Sequence, residues 1–453
     1  MTLRSRLPGL LALAALAALA VPLASRVSLH ASVLGRYSPA YATFLALYGL
    51  LLCAATAVVF GASERRYRAV FGANLLLLVM STGVALGIAE FGLRAVAARD
   101  ARFKRYPKNL VTRMSSPEYD VEIATNRDGF RDTNHAARAP RGTTRIAVIG
   151  DSFVWGAGVA FPEIMTSRLE QILGESGTPA EVMNFGVTGT GPRSYMRVWE
   201  GAVRRYRPDV VVAAFYAGND LSDAVKEARA AAAPRPRSAL VAAIGRLLHR
   251  DAPAPRTTLG WAAEGIENPL ERSALFARGL AAGIDSATIA ARLAAIPESL
   301  VAQAREFRIN PFNFAEAILD PESIRKNLLL MPSEEATVGW PAAERALDDL
   351  AADVARTGAR FALVAFPPAV QVDSTYWWIR QAGFRLDERV VAETPLQDRL
   401  AEFARDRRIL YCDLLPALRA RAGERLFFEQ DGHWTRTGND VAARALADAL
   451  GRH

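Results

Sequence analysis

The sequence has few of the residues that usually reveal a protein's compartment. Its 453 residues include only two cysteines, Cys53 and Cys412, and the first lies inside an apolar run. Two such cysteines provide no disulfide framework, so cysteine usage indicates neither an oxidising nor a reducing compartment. The formal net charge of +8 comes largely from scattered arginine, without the basic and aromatic interleaving that is typical of nucleic-acid binding. We therefore expect no nucleic-acid partner.

Phosphate-binding glycine motifs are also missing. The stretches GAGVAF and GTGPRS begin as Gly-x-Gly, but both lack the third glycine of a dinucleotide fingerprint. No Gly-Lys-Ser/Thr element follows any of the predicted strands. The sequence therefore predicts no nucleotide cofactor.

Long apolar runs are abundant at the N-terminus. Residues 7–24 and 37–63 carry no charge, and residues 71–89 are apolar apart from Asn74 and a few small polar residues. Each run is about long enough to cross a hydrocarbon core of ~30 Å at 1.5 Å per residue, with buried core helices as the alternative. We predict an all-α transmembrane region at residues 1–95 with three helices, the first being either a signal anchor or a cleaved signal peptide.

The flanking charges predict the orientation of these helices. Two groups of basic residues flank the runs: Arg4 and Arg6 before the first, and Arg65, Arg66 and Arg68 between the second and the third. Because positively charged loops stay in the cytoplasm, the chain after about residue 95 would lie outside, although a basic cluster at residues 94–105 opposes this. The prediction is a multi-pass protein of a bacterial inner membrane with a periplasmic or extracytoplasmic domain.

Beyond a polar connector at residues 96–144, strand and helix patterns alternate. Five short apolar runs predict strands at residues 145–151, 180–187, 209–216, 359–367 and 409–416. Their hydrophobicity is continuous, which indicates burial on both faces and hence a parallel sheet with crossover helices. The predicted fold class for residues 145–453 is α/β, a three-layer sandwich with a mostly parallel five-stranded sheet. An insertion at about residues 222–340 interrupts the alternation and predicts a helical lid or a partly disordered linker.

Polar loops follow several of these strands, at the sheet edge where α/β proteins bind ligands. One of them contains Ser152, and a serine hydroxyl needs a base to become a nucleophile. Of the five histidines only His433 lies in such a loop, and Asp431, two residues earlier, can orient its imidazole. Taken singly, Gly189 has the ordinary interpretation of a turn residue, and Asn219 that of a helix cap.

Together, the blocks GDSF, NFGVTGTG, GND and DGHWT resemble, in order and spacing, the four conserved blocks of the SGNH (GDSL-type) hydrolases, over about residues 120–450. The resemblance implies a flavodoxin-like fold and ester hydrolysis through an acyl-serine, without cofactor or metal. It implies Ser152 as nucleophile, His433 as general base and Asp431 as its partner. The implied oxyanion donors are the Ser152 backbone amide, Gly189 and Asn219. Candidate supporting residues are Asp151, Asp220 and Trp434.

Two positions depart from the family pattern. Phe153 stands where many members have leucine, and Gln430 stands where many have the aspartate, three residues before the histidine. The Asp-x-His-Trp order is instead similar to proteins that O-acetylate exported polysaccharides, such as the alginate acetylation proteins. The segment TNRDGFRD is similar to membrane-anchored bacterial members.

The resemblance therefore implies a membrane-anchored esterase that acts on an acylated cell-envelope glycan, a lipid or a small ester. The first alternative is an O-acetyltransferase for an exported polysaccharide, with the same residues and a membrane-bound acyltransferase as partner. The second alternative is a non-catalytic glycan-binding module, since a fold by itself does not imply an activity.

Overall fold

The computed structural model describes residues 39–61, 65–100, 106–232 and 268–452, together with isolated positions before residue 24 and at 240, 258 and 259. The chain divides into two compact units. One contains Met1–Arg99 and Pro236–Arg250, and the other contains Asp100–Arg235 and Asp251–His453. The domain boundaries predicted from the sequence stay a prediction.

The smaller unit contains two long helices, α1 (Pro39–Gly61) and α2 (Arg65–Asp100). Within α2, Leu76–Arg94 is long and apolar enough to cross a membrane. In α1, the described residues include an apolar stretch at Ala42–Ala57. Most of the predicted first span, residues 7–24, lies outside the described residues. The described chain thus supports one candidate span, and the multi-pass prediction is not supported.

The connector contains a hairpin that the sequence interpretation missed. Strands β1 (Val111–Ser115) and β2 (Asp120–Ala124) pair antiparallel, and a two-residue strand, Thr258–Leu259, runs parallel to β1. The hairpin buries Met114 and Ile123 in a small separate core, together with Tyr119, Trp155, Ile164 and Phe428. The strands are only five residues long, so their polar and apolar alternation is too brief to predict a strand.

The predicted parallel sheet is confirmed. Its strands are β3 (Thr144–Gly150), β4 (Ala180–Gly186), β5 (Val210–Tyr216), β6 (Arg360–Phe366) and β7 (Leu410–Asp413). They lie in the order β4-β3-β5-β6-β7 and every neighbouring pair is parallel, which is a flavodoxin-like order. Strand β7 ends earlier than predicted because a new helix begins at Leu415.

The α-helices of this unit cover both faces of the sheet. Those in the described residues are α3 (Ser152–Trp155), α4 (Met165–Glu175), α5 (Pro192–Val198), α6 (Asp220–Ala232), α7 (Arg272–Ala281), α8 (Ser286–Ala294), α9 (Glu298–Arg305), α10 (Pro311–Leu319), α11 (Ser323–Leu329), α12 (Trp340–Arg356), α13 (Ala369–Val372), α14 (Arg389–Ala392), α15 (Pro395–Asp406), α16 (Leu415–Arg419) and α17 (Arg436–Gly451). Helices α4 and α17 pack on one face, and α5, α12 and α15 pack on the other. Successive strand residues, such as Val148 and Ile149, therefore enter different cores.

The described part of the 222–340 insertion is helical and packs on the domain. Helices α7 to α11 carry apolar side chains at helical spacing, and these join the core on one face of the sheet, for example Leu275, Ile289, Phe314 and Leu328. Much of residues 233–267 lies outside the described residues. The insertion thus brings α10 close to the polar loop before α17, where Asn313 donates from Nδ2 to the Gln430 carbonyl at 3.3 Å.

Candidate active site

The turn after β3 presents Ser152 at the carboxyl edge of the sheet. Helix α3 begins at Ser152, and the Asp151 side chain caps it by accepting a hydrogen bond from the Phe153 backbone N–H at 2.9 Å. A Cβ on Gly150 would lie 2.5 Å from Cγ2 of Val154. The strand and the helix can therefore approach this closely only because residue 150 is glycine.

The structure brings Ser152, His433 and Asp431 into one chain of hydrogen bonds. The Ser152 Oγ lies 2.7 Å from Nε2 of His433, although the two residues are 281 positions apart. The other ring nitrogen of His433, Nδ1, lies 3.0 Å from Oδ2 of Asp431. This is the geometry of a nucleophile, a base and an orienting carboxylate.

A tight turn brings the Asp431 and His433 side chains together although only one residue separates them. Gly432 lies between the two residues at φ 80, a left-handed conformation that favours glycine. Backbone hydrogen bonds close the turn, from Phe428 N–H to the His433 carbonyl at 2.7 Å and from Gly432 N–H to the Phe428 carbonyl at 3.0 Å. The Asp431 carboxylate can therefore lie beside the imidazole without the extra residue that many SGNH members have.

The charges near His433 favour its protonated form. Burial opposes a charge on the imidazole, but the neighbouring carboxylates of Asp431 and Asp151 outweigh it and raise the pKa of His433. Burial also raises the pKa of Asp151 to about 6, and its Oδ2 has no hydrogen-bond partner in the described part of the chain. Asp151 is thus a buried carboxyl that caps α3 and acts on His433 through its charge.

Aromatic rings support the histidine. The Phe153 ring lies 4.8 Å from the His433 ring and 4.9 Å from the Trp434 ring, between centroids. Phe153 also packs on Tyr216 at 4.4 Å. Trp434 is 1% exposed and packs against Phe366. The phenylalanine that departs from the family pattern thus forms the apolar support beneath the imidazole, and Trp434 is a packing residue behind it.

Candidate oxyanion donors lie in the loops that flank Ser152. Gly189 follows β4 with φ 68 and open space where a Cβ would be, and Asn219 directly precedes α6. Strands β4 and β5 are both neighbours of β3, so these loops adjoin the Ser152 turn. The Asn219 amide oxygen is buried and has no hydrogen-bond partner within the described ranges. The oxyanion roles of Ser152, Gly189 and Asn219 stay a prediction.

Asp220 is a buried anchor for the Asn219 turn. Its Oδ2 accepts hydrogen bonds from the Tyr195 hydroxyl at 2.8 Å and from the Tyr216 backbone N–H at 3.0 Å. Burial raises the pKa of Asp220 well above its ordinary value. Asp220 can thus support the loop through hydrogen bonds, without a role in proton transfer.

The sequence interpretation missed the connector residues that reach the site. Arg131 is fully buried and donates to the backbone carbonyls of Trp155, the last residue of α3, and of Gly156 and Val159 just beyond it. Glu118 and Tyr119, in the β1–β2 turn, contact the loop that contains Asp431. Only the resemblance of TNRDGFRD to membrane-anchored members pointed to this region, and that resemblance names no contact. Among the described residues no group of three or more Asp, Glu, His or Cys side chains could hold a metal ion.

The structure thus defines the class of this domain: an α/β domain with a flavodoxin-like parallel sheet and a hydrogen-bonded serine, histidine and aspartate at the carboxyl edge of that sheet. Residues 148–335 match the model of the GDSL-like lipase/acylhydrolase family, and residues 328–453 match that of the SGNH hydrolase-like domain, acetyltransferase AlgX. From residue 148 to its end, the chain is thus similar to SGNH (GDSL-type) hydrolase domains, with a resemblance to AlgX in its C-terminal part. The resemblance predicted from the four blocks is confirmed.

Solved structures of similar proteins include several esterases. A catalytic mutant of Axe2, an acetylxylan esterase from Geobacillus stearothermophilus, has 12% identity and a TM-score of 0.34, covering 68% of this chain and 95% of its own. A putative lipolytic protein of the G-D-S-L family from Desulfitobacterium hafniense has 12% identity and a TM-score of 0.31, covering 68% and 100%. At this level of similarity these structures say nothing about the substrate of this chain. None of the curated protein sequences matches it.

Proposed function

We propose that the protein is a membrane-anchored serine esterase that hydrolyses O-acyl esters. The single observation that carries this proposal is the chain of hydrogen bonds from Ser152 Oγ to His433 to Asp431, at 2.7 and 3.0 Å. It supports a nucleophile whose proton has an acceptor already in place, within an SGNH domain.

The proposed reaction has two halves. The Ser152 oxygen attacks the ester carbonyl while Nε2 of His433 takes its proton, and the negative oxygen is held by the N–H groups of Ser152, Gly189 and Asn219. The bond to the alcohol then breaks, and His433 returns the proton to the departing oxygen. Water then attacks the acyl-serine while His433 takes its proton; the bond between Ser152 Oγ and the acyl carbon breaks, and His433 gives the proton to Ser152 Oγ as the carboxylic acid leaves. Asp431 orients the imidazole and stabilises its charged form throughout.

We propose acyl groups on cell-envelope glycans or lipids as the substrate class, and placement of the domain outside the inner membrane. One apolar helix segment, Leu76–Arg94, supports an anchor by length and composition, and the basic residues at 65, 66 and 68 support a cytoplasmic start for that helix.

The test is hydrolysis of short-chain p-nitrophenyl esters by the full-length protein. We expect release of p-nitrophenol from the wild type and none from Ser152→Ala, with unchanged folding. Ser176→Ala, an exposed serine at the end of α4, is the matched control and should keep the wild-type rate. Equal rates in the wild type and Ser152→Ala would reject both catalytic functions and leave a glycan-binding module.

A second candidate, an O-acetyltransferase, has one specific observation in its favour. The match to the SGNH hydrolase-like domain of acetyltransferase AlgX covers residues 328–453, which include Asp431 and His433. In this case a sugar hydroxyl, in place of water, attacks the acyl-serine, and a membrane-bound acyltransferase is the partner we would expect to supply acyl groups. Labelled acetyl groups should then reach an added oligosaccharide faster than they reach water.

A further inference from the structure

The turn between β1 and β2 contacts the loop that contains Asp431. The Glu118 side chain, 7% exposed, accepts hydrogen bonds from three consecutive backbone N–H groups, those of Glu429, Gln430 and Asp431, at 2.6, 2.9 and 2.9 Å. Hydrogen bonds to an ionised carboxylate are among the stronger ones in proteins. One side chain of the connector therefore fixes the backbone of the loop up to Asp431 itself.

The neighbouring residue contacts the Asp431 carboxylate directly. The Tyr119 hydroxyl donates to Oδ2 of Asp431 at 3.0 Å, the same oxygen that pairs with Nδ1 of His433. The Tyr119 ring is 8% exposed and packs on Phe428 at 4.9 Å between centroids. The hydroxyl is thus held by a buried ring, and it limits the rotation of the carboxylate that orients the histidine.

The same connector reaches two further loops of the site. Arg131 donates to carbonyls at and beyond the end of α3, and the Tyr106 hydroxyl lies 2.5 Å from Oγ1 of Thr188, the residue before Gly189. Three of the four loops that carry candidate catalytic groups therefore have a side chain of residues 106–131 bound to them. These contacts come from a segment that precedes the conserved GDSF block.

We propose that Glu118 and Tyr119 are positioning residues for the Asp431–His433 pair. The connector hairpin then belongs to the active site, because it holds Asp431 in the orientation that His433 needs. Neither side chain touches the reacting atoms; both act through Asp431. The proposal rests on the proposed acyl-transfer function, because it assigns these residues to the orientation of the general base.

The test measures the rate at which a fluorophosphonate labels the full-length protein in detergent. Loss of a hydrogen bond to a buried carboxylate predicts labelling about 3- to 10-fold slower in Tyr119→Phe and about 10- to 100-fold slower in Glu118→Gln. Each variant has a control: Tyr411→Phe loses a hydrogen bond to the Gln397 carbonyl elsewhere, and Glu122→Gln changes an exposed glutamate of β2. Both controls should keep the wild-type rate.

Two further readouts distinguish positioning from a general defect. In an Asp431→Ala background, Tyr119→Phe should cause no additional loss, because the contact through which it acts is gone. Tyr119→Phe should also move the acid limb of the pH–rate profile to higher pH. Without the Tyr119 hydrogen bond, the negative charge of the Asp431 carboxylate acts more strongly on the His433 imidazolium, and His433 then loses its proton at a higher pH. The charged groups that act on His433, Asp431 and Asp151, remain in this variant.

The outcomes separate this inference from the proposed function. If the wild type is labelled at Ser152 but Tyr119→Phe reacts as fast as Tyr411→Phe, the positioning role is wrong and the catalytic function stands. If Tyr119→Phe slows the reaction equally with and without Asp431, its effect is structural and the inference also fails. If the wild type is not labelled, both proposals fail. Should Glu118→Gln not fold, Tyr119→Phe decides alone, since it keeps the packed ring.

Discussion

At the scale of single residues, the charge state of His433 governs the proposed chemistry. A general base must be neutral before it can take the Ser152 proton. Burial lowers the tendency of this imidazole to be charged, yet the nearby Asp431 and Asp151 raise its pKa overall. The base therefore becomes available only as the pH rises above the ordinary histidine value of about 6.5.

The raised pKa of His433 determines how the rate of ester hydrolysis should depend on pH. The value of kcat/KM for a p-nitrophenyl ester should rise with pH, with a midpoint above about 6.5. Of the two carboxylates that raise the pKa of His433, Asp431 has the larger effect. Asp431→Asn removes its charge, so the midpoint should move to lower pH, and the maximal rate should fall by about 10²- to 10⁴-fold. A midpoint that moves upward in Asp431→Asn would contradict the assigned electrostatics.

Residue identities predicted the contact of Ser152, His433 and Asp431 better than the residues that support it. Ser152 and His433 were singled out by the blocks GDSF and DGHWT, which resemble short family motifs, and the structure places the two side chains 2.7 Å apart. Tyr119 and Asp431 are 312 residues apart, and nothing in the letters SSPEY indicates an active-site contact. Such hydrogen bonds depend on how the hairpin packs, which a single sequence does not contain.

At the scale of elements, the close contact of β4 with α3 determines where Ser152 lies. A Cβ on Gly186 would be 2.2 Å from the backbone nitrogen of Trp155, so a side chain there must push the strand and the helix apart. The sheet itself was predictable because its strands are continuous apolar runs. The hairpin was not, because its two strands are short and half exposed.

Gly186→Ala should therefore damage both stability and activity. We expect a loss of about 1–3 kcal/mol in the free energy of unfolding, typical of an overpacked core, and slower ester hydrolysis because α3 carries Ser152. The measurements are urea unfolding and the p-nitrophenyl ester rate. Gly174→Ala in α4 is the control, since its Cβ would meet nothing within 4 Å; it should leave activity unchanged and add about 0.5–1 kcal/mol.

The connector is also bound to the sheet through a buried histidine. His135 lies 2.9 Å from Asp132 and 2.7 Å from Glu181 of β4. Burial opposes its charge, but these two carboxylates raise the pKa of His135 to about 9. A group whose folded pKa is raised stabilises the fold fully below its unfolded pKa, here about 6.5, and this stabilisation is lost as the pH rises through about 9.

The free energy of unfolding should therefore decrease between pH 6.5 and 9, on the order of 1–2 kcal/mol once solvent screening is allowed for. His135→Gln should remove most of this slope while lowering stability at pH 6. Urea unfolding at several pH values measures both effects. An unchanged slope in His135→Gln would mean that other groups cause the pH dependence.

At the scale of the whole molecule, the proposed membrane anchor depends on one helix segment. Leu76–Arg94 exposes large apolar side chains, among them Leu77, Val84 and Ile88, as a lipid-facing helix would. The sequence predicted three spans from apolar runs, and among the described residues one helix segment, Leu76–Arg94, is long and apolar enough to cross a membrane.

Val84→Arg should weaken membrane association. An arginine near the middle of a spanning helix costs about 2.5–3.5 kcal/mol on insertion scales, so less protein should remain in the membrane fraction after carbonate extraction. Leu280→Arg, which changes an equally apolar and exposed residue of α7, is the matched control and should not change the distribution. Equal extraction of both variants would argue against this segment as an anchor.

The most direct measurement for the acyl-serine mechanism is mass mapping of the residue that a fluorophosphonate modifies. The proposed mechanism predicts one adduct on Ser152 in the wild type and its loss in His433→Ala, because the imidazole 2.7 Å away activates the hydroxyl. An adduct on another residue, or undiminished labelling of Ser152→Ala, would contradict it.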